Sequence, residues 1–118
     1  MAKKSRTRDI TITESQGVFS LFKKSKNTKE EYDFSGIFAL RQLLSNERAR
    51  LLHVIKTKKP RSIYMLAKEL GRGFKSVSDD IRLLERFGFI DLIEEKTKKR
   101  PRHRPEIVVD EVKINLKV

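Results

Sequence analysis

The chain contains no cysteine. That removes disulfide bonds and thiolate metal sites. Its two histidines, His53 and His103, would need carboxylates arranged around them to hold a metal, and no such arrangement is legible. His53 falls near the apolar side of a helical stretch, where a packed core histidine is the expected role. No nucleophile–base pair, phosphate-cradling glycine loop or metal-ligand spacing is present, so neither enzymatic activity nor a cofactor is expected. Asp79 and Asp80 are adjacent, but neighbours on a helix point about 100° apart and do not converge on one ion. No apolar run is long enough to span a bilayer. The basic start, Met-Ala-Lys-Lys-Ser-Arg, is not followed by an apolar signal segment. A cytoplasmic, nucleoid-associated protein without a membrane partner is the expectation.

What is present is positive charge. The 118 residues carry a net charge of +12, with 37% hydrophobic residues. That is enough apolar content for one modest core, and the charge favours polyanionic partners, nucleic acid first. The charge is unevenly spread. Residues 61–95 hold six basic and seven acidic side chains, whereas residues 96–105 hold six Lys or Arg and no acid. This division suits a protein that reads bases with a few side chains and grips phosphates elsewhere.

The organising stretch runs from Ser62 to Ile90, S-I-Y-M-L-A-K-E-L-G-R-G-F-K-S-V-S-D-D-I-R-L-L-E-R-F-G-F-I. Ser62 is placed to cap a helix whose apolar face is Ile63, Leu66, Ala67 and Leu70. Gly71 and Gly73 bracket Arg72 at a sharp turn. A second helix from Phe74 puts Phe74, Val77, Ile81 and Leu84 on one side and Lys75, Asp79, Arg82 and Arg86 on the other. Asp80 is expected to pair with Arg72 and fix the angle between the helices. Gly88 ends the helix, and Phe89–Ile93 reads as a strand. A basic loop, Lys96–Pro105, follows, then a return strand at Glu106–Val109. Its prolines are expected to keep the loop from pairing as a ladder.

Two helices on a glycine turn, then strand, basic loop and strand, predict an α+β fold. It is a winged helix-turn-helix, with a three-helix core, a β-hairpin wing and an N-terminal strand-helix extension. The block quoted above, with the basic loop after it and L-L-S-N-E-R-A-R-L-L-H-V-I-K before it, resembles small archaeal and bacterial winged helix-turn-helix proteins related to MarR-like transcriptional regulators. The resemblance covers about two thirds of the chain. It implies DNA binding, and for some bacterial relatives an antitoxin role with a toxin protein as partner. Gly73 departs from the pattern, in which Asp more often caps the second helix.

The remaining segments divide the chain at residue 34. Residues 1–34 are expected to form a basic tail (1–8), a strand (Asp9–Thr13), a short helix from Val18 to about Lys24 and a polar linker (Ser25–Asp33), together a dimerisation arm. Residues 35–118 are expected to form the DNA-binding domain. Within it, Ser35 should cap a helix over Gly36–Leu44, and Ser45 should cap one from Asn46 to about Lys56. At the far end Val112, Ile114, Leu116 and Val118 alternate with polar residues and predict a strand needing a partner, for which Ile10–Thr13 is the candidate, within one chain or between two chains.

The expected DNA contacts are Lys75, Ser76, Ser78, Asp79 and Arg82 on the second helix, with Lys96, Lys98, Lys99, Arg100, Arg102 and Arg104 on the loop. Arginine can contact guanine bidentately and Asp can accept from cytosine. Asp79 is equally suited to an ion pair with Lys75 or Arg82 one turn away. Three readings follow: a sequence-specific regulator of double-stranded DNA acting as a homodimer, a DNA-binding antitoxin, and a sequence-indifferent architectural protein. The weakly charged helix face favours the first over the third.

Overall fold

A computed structural model of the protein describes the backbone of residues 6–24 and 30–118, with side chains over 6–21 and 35–118. Parts of the expected tail (1–5) and linker (25–29) lie outside the described residues. The order of elements is β1 (Thr7–Ser15), β2 (Val18–Lys24), β3 (Glu30–Asp33), α1 (Phe34–Leu43), α2 (Asn46–Lys58), α3 (Ile63–Leu70), α4 (Phe74–Arg86), β4 (Ile90–Glu95), β5 (Arg102–Ile107) and β6 (Glu111–Lys117). They form two compact units, Met1–Gln42 with Asp110–Val118, and Leu43–Val109.

The first unit is built on a four-stranded sheet in the order β3-β2-β1-β6. Gln16 and Gly17 join β1 to β2 with φ of 52° and 81°. Two consecutive positive φ values give the tight turn whose twist matches an antiparallel pair, and Ser15 faces Val18 across it. The short helix expected over Val18–Lys24 is therefore a strand. Its closely spaced apolar residues fit either period, and pairing with β1 decides between them. Glu30–Asp33, expected to be linker, pairs with β2. Helix α1 begins at Phe34, so Ser35 stands inside it and is not its cap. The C-terminal strand β6 does find β1. The pair is parallel and lies within one chain, with Ile10 beside Ile114 and Ile12 beside Leu116. Asp110 closes the end of this pair, donating from its N–H to the Arg6 carbonyl at 2.8 Å and accepting from the Arg6 N–H at 2.9 Å.

Among the described residues, the six large side chains that are fully buried, Leu51, Leu66, Val77, Ile81, Leu84 and Ile90, all belong to the second unit. Each contributes roughly 1.5–3 kcal/mol by leaving water. Ser45 caps α2 by accepting from the Arg48 N–H at 3.4 Å, and Ser62 caps α3 by accepting from Met65 at 3.1 Å. Gly71 ends α3 in the left-handed region at φ 65°. Gly88, at φ 77°, releases the chain from α4, after which the Phe89 N–H returns to the Leu84 carbonyl at 2.9 Å. Strands β4 and β5 then pair antiparallel with Ile90 opposite Ile107.

The predicted fold class needs correction. The described residues form four helices and six strands in two separate sheets. They do not form a three-helix core with one hairpin wing and a strand-helix extension. The sheet of the first unit is assembled from the two ends of the chain. Local periodicity cannot report that pairing, because its partners lie about a hundred residues apart in sequence. The hairpin also differs in detail: Arg102–Pro105, expected to be loop, belongs to β5. Pro105 is buried opposite Leu92. A two-stranded sheet has only edge strands, so a residue without an N–H is tolerated there.

Candidate nucleic-acid interface

Helix α4 is held by a buried carboxylate. Asp80 is 5% exposed and lies between two arginines, with Arg48 Nη2 at 2.7 Å from Oδ1 and Arg72 Nη2 at 2.8 Å from Oδ2. The pairing of Asp80 with Arg72 expected from the sequence is present, and Arg48 of α2 joins it. The Arg72 contact is close but not aligned as a hydrogen bond. The same Nη2 donates to Ser76 Oγ at 2.6 Å. One carboxylate thus ties α2, the turn after α3 and the first half of α4 together. A buried carboxylate needs such partners, because an uncompensated charge in the interior is costly.

Residues at the N-terminal ends of α3 and α4 border one groove. It encloses about 730 Å³ and is lined by Ser62, Ile63, Tyr64, Phe74 and the hairpin segment Thr97–His103. Thr97 shapes that segment. Its hydroxyl donates to the Arg100 carbonyl and accepts from the Arg100 N–H at 3.3 Å, closing a short turn. Lys98, Lys99, Arg100 and Arg102 are exposed, and no acid is among the lining residues. Gly73 provides no side-chain cap, so among the described residues no capping side chain accepts from the first-turn N–H groups of α4, at the positive end of the helix dipole. Cations and helix N-termini facing one concavity make a site suited to phosphate oxygens.

The expected site residues separate into groups. Lys98, Lys99, Arg100 and Arg102 line the groove, and Lys96 is exposed just before it. Arg104 sits back in β5, where its Nε donates to Glu95 Oε1 at 2.9 Å. Lys75, Ser76, Asp79 and Arg82 are exposed on α4, and Ser78 is half-buried. Asp79 makes no ion pair with Lys75 or Arg82 among the described residues, so its carboxylate is open to solvent.

Two placements differ from expectation. Phe74, assigned to the buried face of α4, is 53% exposed and lines the groove with Tyr64, which is 66% exposed. Both stand in the first turn of their helices, where a correct helical phase does not guarantee a covering neighbour. The only signal for them was their place beside the N-caps. His53 is exposed on α2, not packed in the core. Among the described residues no three His, Cys, Asp or Glu side chains are grouped to hold a metal ion. No helix among them is long and apolar enough to cross a membrane.

No curated protein and no solved structure matches the chain. One family model, HVO_A0114, matches residues 43–114, which span the second unit and the first half of β6. Its description does not name a MarR-like family, and the two-sheet architecture is not the winged helix-turn-helix expected above, so both labels are set aside. With more than half of its residues inside the match, the chain belongs to the HVO_A0114 family.

Proposed function

We propose that this protein binds double-stranded DNA and acts as a transcriptional regulator on the nucleoid, with two copies on a two-fold site. The observation that carries the reading is the groove in the second unit, where four exposed Lys and Arg side chains of the hairpin segment stand beside the N-termini of α3 and α4 with no acid between them. In this reading the hairpin segment lies on phosphates. The exposed face of α4, with Lys75, Ser78, Asp79 and Arg82, enters the major groove. Tyr64 and Phe74 rest against sugar or thymine methyl groups at the boundary. Ser76 keeps a hydroxyl proton to donate to phosphate while accepting from Arg72.

The test is selection of bound duplexes from a random library by the full chain at about 0.15 M salt, followed by competition between the recovered and scrambled sequences. A recovered motif preferred by at least about a hundredfold supports the regulator reading. Equal affinity for all duplexes removes the sequence-specific part. No binding even at low salt removes the DNA reading altogether.

A further inference from the structure

Strand β6 is an edge of the four-stranded sheet, so one side of its backbone has no strand partner among the described residues. Its apolar residues share a sheet face with β1, because residues paired in register point the same way. Ile10, beside Ile114, is buried. Ile114 and Leu116 are themselves 43% and 57% exposed. The apolar surface that is covered at β1 therefore continues uncovered to the sheet edge. An edge of this kind is a template for another strand.

We infer that β6 pairs antiparallel with β6 of a second copy, about a two-fold axis through Ile114, joining the two sheets into one. The sequence of the strand, E-V-K-I-N-L-K over Glu111–Lys117, is complementary to itself in that register. Ile114 faces Ile114 of the other copy. Val112 faces Leu116 on the apolar side, in both directions. On the other side Glu111 faces Lys117 twice, and Lys113 faces Asn115. Every apolar residue meets an apolar one, and no like charges are opposed.

Other registers lose this match. Centring on Lys113 sets that lysine against its own copy. Centring on Asn115 sets Lys113 against Lys117. A slip of one residue in the pairing places apolar side chains opposite polar ones, and longer even slips leave three residues paired. Lysines on an edge strand commonly discourage such pairing. Here Glu111 opposes one of them and Asn115 the other. A two-fold contact of one patch with itself is the commonest way a chain forms a dimer. The inference rests on the two-copy part of the function proposed above and is independent of whether the partner is DNA.

The absence of cysteine permits a direct test on the full chain. Ile114→Cys should crosslink to itself on mild oxidation, since directly opposed residues of an antiparallel pair lie within disulfide reach. Asn115→Cys, whose counterpart sits two positions further along the facing strand and out of direct opposition, should crosslink far less. In sedimentation equilibrium, Glu111→Lys and Lys117→Glu should each weaken the dimer about tenfold, because each opposes like charges twice. The double swap should restore it. Both positions are exposed, so a circular dichroism spectrum unchanged from the parent separates loss of pairing from loss of fold. A chain that stays monomeric to several hundred micromolar overturns this pairing and the two-copy reading together. A dimer indifferent to the swaps, with equal crosslinking at 114 and 115, overturns the β6 interface alone.

Discussion

Arg48 and Asp80, thirty-two residues apart in sequence, meet with Nη2 2.7 Å from Oδ1 and join the first turn of α2 to the middle of α4. Arg72 reaches the other carboxylate oxygen from the turn before α4. The orientation of the exposed face of α4 is thus set by a charge contact as well as by the apolar packing of Val77, Ile81 and Leu84.

Asp80→Ala should therefore be strongly destabilising. It leaves two partly buried guanidinium groups without their carboxylate, which costs about 3–5 kcal/mol when a buried pair is broken. Tm should fall by roughly 10–20 °C or more. The contrast is Glu95→Gln, which removes the partly exposed pair with Arg104 and should cost under about 1 kcal/mol. Thermal denaturation of the two variants checks the difference. Equal, small effects would mean that the buried contact does not hold α4.

Gly71 and Gly73 should respond in opposite directions. At Gly71 a Cβ meets open space, but φ is 65°, so Gly71→Ala pays for the left-handed backbone alone, about 1–2 kcal/mol. Gly73 has φ −65° and no side-chain cap, so Gly73→Asp should stabilise α4 by a few tenths of a kcal/mol. Urea denaturation measures both. A neutral Gly71→Ala would show that the turn relaxes.

Charge on the hairpin segment should govern the salt dependence of DNA binding. Replacing Lys98, Lys99, Arg100 and Arg102 with Gln removes the exposed cations of the groove without touching buried groups. Affinity should fall for every sequence alike, and the log–log salt slope should shrink by about 0.9 for each phosphate that is no longer neutralised. Fluorescence anisotropy at several salt concentrations gives the slope. An unchanged slope would leave the segment as a solvated loop.

Arg82→Ala and Val77→Ala should separate reading from folding. Arg82 is exposed, so its removal should leave Tm nearly unchanged and cost roughly 1–3 kcal/mol on a preferred duplex if it is bidentate to guanine. Val77 is fully buried, and its truncation should cost about 2 kcal/mol of stability through the cavity it leaves. Competition between preferred and scrambled duplexes at fixed salt is the measurement. Arg82→Ala weakening both equally would assign Arg82 to phosphate instead of bases.

Local physical chemistry made the second unit largely legible from sequence. Ser45 and Ser62 cap the helices assigned to them, Gly71 and Gly88 take positive φ where α3 and α4 end, and Val77, Ile81 and Leu84 are buried as their 3.6-residue spacing requires. These outcomes depend on neighbours within a turn or two, which a linear reading contains. Asp80 could also be matched to Arg72 because both belong to one motif. Tertiary structure alone decided the rest. Whether Val18–Lys24 became helix or strand depended on β1, whether Phe74 was covered depended on what packed beyond the first turn of α4, and Arg48 joined Asp80 only because the fold brings α4 within reach of its long side chain. The parallel pairing of β1 with β6 is the extreme case. Both strands alternate legibly, but direction and register are properties of the pair, formed between opposite ends of the chain, and neither strand encodes them by itself.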